Sequence, residues 1–199
     1  MAEKIGIALL DQIPRGIERV ASPGRHCTFI GNAREGKILW ARREEITCPL
    51  ARFNLGIDPQ DAPTVKRLAA TLVGWGDARD LESAQRFIAG LSPLPVSKRI
   101  FLYAPLDEMP VFPDLVLLIL QPEEAFRCIL SITASTGERS GGLVGGVGAL
   151  CGECTAVPLH TGRVAISVGC NGSRREAFLA SDELFLAIPY PLYQSTIGA

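Results

Sequence analysis

Apolar residues in this chain fall in short runs, set apart by glycine, proline and charge. "KIGIALL" (4–10) ends at Asp11 and Pro14 and predicts a strand. "CTFIGNAREG" (27–36) predicts a short helix stopped by Gly36, and "KILWARR" (37–43) alternates as a strand does. "CPLARFNLG" (48–56) sets Pro49 in a first helical turn and Gly56 past its end. Amphipathic helices are predicted near 62–73 and 81–91. A strand is predicted at "KRIFLYAPL" (98–106), followed by Pro110 and Pro113. "PDLVLLILQ" (113–121) is the most apolar stretch and reads as a central strand. "PEEAFRCILSITAST" (122–136) reads as a helix with Pro122 in its first turn, acids behind it and Gly137 after it. Residues 137–149 read as a glycine-rich loop, and 151–158 as a short helix. "GRVAISVG" (162–169) and "DELFLAIP" (182–189) read as strands. Between them "SRREAFL" (173–179) opens with a capping-box pattern from Ser173 to Glu176. The tail from Tyr190 predicts a last helical turn. Helices and strands interleave throughout, which implies an α/β or α+β fold: a mixed sheet with flanking helices in one domain, 1–199.

The elements also repeat. "CTFIGNAREGKILWARREEITC" runs from Cys27 to Cys48, and "CTAVPLHTGRVAISVGC" runs from Cys154 to Cys170. Each starts Cys-Thr, reaches a Gly-basic pair, continues as a strand and closes on cysteine. "IFLYAP" (100–105) echoes "LFLAIP" (184–189). The order predicts two related halves, 1–106 and 113–199, about a pseudo-twofold axis.

Composition narrows the function. The 199 residues are 47 % hydrophobic and 21 % charged, with a formal net charge of −1. No basic run is present, so no nucleic-acid footprint is expected. The apolar runs fall well short of the roughly 20 residues that span a bilayer, and the N-terminus lacks a cleavage-site pattern. These features predict a cytoplasmic protein with no membrane partner. They are compatible with a homo-oligomer. Six cysteines are too sparse for a disulfide scaffold.

The cysteines carry most of the candidate chemistry. Cys27, Cys48, Cys154 and Cys170 occupy matched places, each near a predicted helix start, where thiolate is favoured. Together they would suit a metal ion or an iron–sulfur cluster. Only Cys151-x-x-Cys154 is a close pair, and Cys151 has no counterpart in the first half. Burial as small residues is the plainer role for all of them, and Cys128, among apolar helix positions, is expected in the core. The loop "SGGLVGGVGALCGE" (140–153) offers Gly145, Gly146 and Gly148 as backbone donors to an anion. It lacks the strand and acid of a dinucleotide site, and the chain has no Walker lysine. Arg174 and Arg175, at a helix start, are placed to hold a carboxylate or phosphate. His26 and His160 are not expected in catalysis, because neighbours on a helix rarely face each other and His160 falls in a turn.

The pieces "CTFIGNAREGKI", "TCPLARFNLGI", "APLDEMPVFPDLVLLILQPEEAFRCI", "GECTAVP" and "DELFLAIPY" span nearly the whole chain. In them the sequence resembles the archaeal and bacterial family catalogued as domain of unknown function 169. The resemblance implies a complete domain but no particular reaction. It also implies a helix before the first strand, whereas this chain begins almost in that strand. Three functions follow as expectations. The first is a small or anionic ligand, or a metal cofactor, held between the halves by the four cysteines and the glycine loop. The second is a thiol enzyme with Cys154 or Cys48 as nucleophile. The third is a ligand-free structural or interaction module.

Overall fold

The apolar runs assemble into one seven-stranded sheet in the computed structural model, which describes residues 3–95, 98–141 and 144–198. The strands are β1 (Glu3–Leu10), β2 (Glu18–Arg19), β3 (Leu39–Arg42), β4 (Ile100–Pro105), β5 (Leu115–Leu120), β6 (Ala165–Ser167) and β7 (Leu184–Pro189). Their order is β2-β3-β4-β1-β5-β7-β6, with every neighbour antiparallel except the short β2–β3 pair. The sheet is therefore mixed and the fold is α+β. β1 and β5 lie at its centre, paired Ile5 to Leu117 and Ile7 to Leu115. Outward from that pair the order is β4 then β3 on one side, and β7 then β6 on the other.

Both sheet faces are covered, which is why β5 is apolar at all six positions rather than alternating. Ile5, Ile7, Phe101, Tyr103, Leu117 and Phe185 point to the thicker helical layer. That layer contains α1 (His26–Arg34), α2 (Pro49–Asn54), α3 (Ala62–Trp75), α4 (Leu81–Ala89), a π-helix (Ala149–Ala156), α6 (Val157–Thr161) and α7 (Asn171–Glu176). Val116, Leu118, Leu186 and Ile188 point the other way, under α5 (Pro122–Thr136) and α8 (Tyr190–Thr196). Helix ends follow local rules. Asp61 and Asp80 accept the backbone N–H groups of Thr64 and Ser83, and Gly76 and Gly137 close α3 and α5 in the left-handed conformation.

Two local readings need correction. The helix expected at 151–158 begins earlier, at Ala149, and winds as a π-helix before running directly into α6. The helix expected from Ser173 begins at Asn171. Its cap is Cys170: the sulfur accepts the Ser173 N–H at 3.4 Å, and Ser173 Oγ accepts the Cys170 N–H at 2.8 Å. This reciprocal pair takes the place of the Ser173–Glu176 box.

The two ends of the chain lock through close backbone approach. A Cβ at Gly31 of α1 would stand 2.1 Å from the carbonyl oxygen of Glu176, at the end of α7. Arg34, one turn further on, donates to the carbonyls of Ala177 and Phe178 and pairs with Glu3 and Glu183. Gly31→Ala must push α1 off α7. The expected loss is about 1–3 kcal/mol, as for other overpacked positions, measured as a lower urea midpoint with an unchanged slope.

Candidate functional site

The helical layer leaves a cavity of about 230 Å³ where several helices begin. Four cysteines wall it: Cys27 in the first turn of α1, Cys48 immediately before α2, Cys151 in the first turn of the π-helix and Cys170 immediately before α7. All are free thiols. Cys27 and Cys151 are buried, while Cys48 and Cys170 are half-buried. Arg25, Arg175 and Asp77 supply charge at the wall, Gly148 and Gly172 leave backbone uncovered, and half-exposed Trp75 forms part of the lip.

The local sequence explains this convergence. Pro49 and the apolar Leu50, Ala51 and Phe53 bury α2 and leave Cys48 at its open end. Gly148 takes a left-handed conformation (φ +69°), and a Cβ there would meet Leu50 Cδ2 at 2.8 Å. Only glycine lets the loop turn into the π-helix so close to α2. The following turn aims Cys151 at the cavity, where its sulfur donates to Gly148 O at 3.5 Å and accepts from Asn54 Nδ2 at 3.6 Å. Asn54 is fully buried, and its Oδ1 has no hydrogen-bond partner among the described residues. Its amide thus gives a donor to the sulfur at the cost of an unmet acceptor.

The profile of the family DUF169, described as "Uncharacterised ArCR", matches residues 3–198. The chain belongs to this family. It is also 29 % identical over 180 residues to the uncharacterized protein MJ0308 of Methanocaldococcus jannaschii, covering 90 % of this chain and 77 % of that one. No solved structure matches.

In this DUF169 chain, three of the four cysteines singled out by the repeat, Cys27, Cys48 and Cys170, share the cavity. Cys154 does not. It is fully buried one turn beyond Cys151, beside Glu153 and Ser167. Cys151 stands in its place, although the first half has no Cys-x-x-Cys to match it. The repeat aligned Cys27-Thr28 with Cys154-Thr155, but π-winding carries position 154 round to the core side. Of the two candidate arginines, Arg175 lines the cavity and Arg174 does not. The Arg174 guanidinium donates to the carbonyls of Val168 and Ala180, so it holds the turns around α7 instead of facing the cavity. The early start of α7 puts Arg175 on the face of Asn171 and Gly172.

Of the glycines, Gly148 lines the cavity. Gly145 gives its N–H to Glu153 at 2.6 Å in an adjoining groove beside Phe87, and Gly146 is a left-handed turn residue in open space. Gly142, in the same loop, lies outside the described residues. Cys128 is half-buried and packs against the second core cluster. Among the described residues, no three His, Cys, Asp or Glu side chains are arranged to hold a single metal ion. None of their helices is long and apolar enough to cross a membrane.

The expected thiolate character does not hold for the buried pair. Burial raises the Cys27 thiol, and the nearby Cys170 and Cys48 raise it further. Cys151 is raised well above the usual range by burial and by Cys48, Cys27 and Cys170. Both shifts have neighbouring cavity sulfurs among their causes. The wall is thus a set of groups that resist holding several negative charges at once unless a cation joins them.

His26 lies beneath the site in a buried polar chain. Its Nδ1 meets Tyr103 Oη at 2.9 Å and its Nε2 meets Thr155 Oγ1 at 3.0 Å. Thr155 in turn donates to Leu150 O at 2.6 Å, so it accepts from Nε2–H, and Tyr103 donates to Nδ1. The chain ties α1, β4 and the π-helix together and keeps His26 away from the thiols. His160 is exposed, with its ring against Pro93 O. Burial lowers the His26 pKa from 6.5 to about 3. Between those values the unfolded chain binds a proton that the folded chain refuses, so the stabilisation present above pH 6.5 is lost progressively as pH falls toward 3. Urea midpoints measured across that window should fall with acidification. In His26→Gln, itself less stable, the dependence should be shallower by about one proton.

Proposed function

We propose that this protein binds a thiophilic cofactor in the cavity walled by Cys27, Cys48, Cys151 and Cys170. The convergence of four thiols, from four separate helix starts, carries the reading. One cysteine at a tight helix–strand contact is ordinary packing. Four around shared empty space leave that space without the apolar filling that would make it core.

A thiol enzyme is less well supported. Among the described residues, none of the four sulfurs hydrogen-bonds to an imidazole or a carboxylate. Cys154 is sealed, and His26 is committed to Tyr103 and Thr155. A nucleophilic thiol needs such a base or a lowered pKa, and burial drives Cys27 and Cys151 the other way. The unit proposed is the whole chain, 1–199, with the site between halves 1–106 and 113–199 related by an ancestral duplication. The matching strand order about β1 and β5 supports that relation. The cavity also accommodates negative charge on the bound group, through Arg25 and Arg175.

Ligation requires deprotonated sulfur, so uptake releases protons and strengthens as pH rises. Protein purified anaerobically, analysed for metals and labelled with maleimide without denaturant, tests the reading. Emptied protein should label at Cys48 and Cys170 and remain unlabelled at Cys154. Loaded protein should be protected at Cys48 and Cys170 together, more strongly at pH 8 than at pH 6. Equal labelling with and without a thiophilic metal would refute the proposal.

A further inference from the structure

Resting on that reading, we infer that the cofactor is a 4Fe–4S cluster, with one cavity cysteine bound to each iron. Four observations point past a single ion. The first is spacing. A lone Zn²⁺ draws its thiolates to about 2.3 Å from the metal, but no three ligand side chains among the described residues are arranged to hold one ion. The four cysteines nevertheless line one and the same cavity. Ligands spread around a space, instead of meeting at a point, suit the corners of a polynuclear core.

The second is volume. The cavity of about 230 Å³ is several times the roughly 30 Å³ share of one water, so it has room for a polynuclear group. The third is ligand number and kind, four cysteines, which is the complement that this cluster takes. The fourth is charge. Four thiolates outweigh the positive core, leaving a net negative group. Arg25 and Arg175 lie at that wall against the single acid Asp77, and the eight-residue π-helix and nine-residue α1 both begin there. Asn54 adds an N–H directed at the Cys151 sulfur, a contact that supports a charged, ligated sulfur.

The binding step balances as ligand exchange. A preformed 4Fe–4S core carried by four small thiolates gives up each of them. Each protein thiol passes its proton to the departing thiolate as its sulfur bonds to iron. The core keeps its electrons, and four small thiols leave.

The test is anaerobic incubation of the intact chain with a 4Fe–4S core ligated by 2-mercaptoethanolate, followed by desalting. Four irons and four sulfides per chain are expected, with a broad visible sulfur-to-iron absorption. Cys27→Ser, Cys48→Ser, Cys151→Ser and Cys170→Ser should each cut retained iron at least severalfold. Cys128→Ser and Cys154→Ser should retain the full amount, and circular dichroism checks that each variant is folded. Half-buried Cys48 and Cys170 give variants that least disturb the core. Retention in a folded Cys151→Ser with loss in a folded Cys154→Ser would overturn the assignment. Tight binding of one Zn²⁺ per chain through the same cysteines, with no cluster retained, would overturn the cluster and leave the thiophilic site standing. Uptake of neither would overturn both.

Discussion

The antiparallel pairing of β1 with β5 is the joint on which the molecule depends. It places the first strand of the chain beside one that begins more than a hundred residues later, through five rungs from Glu3–Ile119 to Ile7–Leu115. Sheet order then puts β4 and β7 on opposite flanks. Each side carries its own helices, and the helix starts from the two sides meet above the joint. Cys27 and Cys48 arrive from one direction, Cys151 and Cys170 from the other. A one-residue slip in this pairing would turn Ile5 and Ile7 out of the helical layer and separate the two pairs of sulfurs. The cavity is thus a long-range product of the sheet.

Two kinds of polar burial operate side by side in this layer. The His26–Tyr103–Thr155 chain is closed, since each named donor has its acceptor and nothing is left for a visiting group. The thiol wall is open. Cys151 has only long contacts, from Asn54, whose other end goes unmet, and to Gly148 O, and burial with the neighbouring sulfurs discourages its ionisation. A closed network holds helices in position, whereas an open one retains free energy that binding can release. Their adjacency lets the first hold the second in shape: His26 and Cys27 are consecutive, as are Leu150, which accepts from Thr155, and Cys151.

Most of the fold was legible because its information is local. The unbroken apolar run of β5, the Pro49 and Pro122 starts and the Gly137 stop specify their elements without reference to the rest of the chain. The site was legible only in part. Repeat spacing picked out Cys27, Cys48 and Cys170, since strand lengths and turns carry them to matching places. It missed Cys151 because a π-helix leaves no period in the sequence, and an added backbone winding changes which of Cys151 and Cys154 faces the cavity. Which of the two adjacent candidates, Arg174 or Arg175, faces the cavity was not legible, because the sulfur of Cys170 serves as a helix cap, a role the usual capping residues would have announced.

Trp75 gives the site an optical consequence. The chain has two tryptophans. Trp40 is buried, with its indole N–H held by the Ile17 carbonyl, so its emission is set by a fixed environment. Trp75 stands half-exposed at the cavity lip, beside the sulfurs. The protein therefore carries an internal fluorescent reference and an internal sensor, and light emitted from the second reports what fills the space between the thiols.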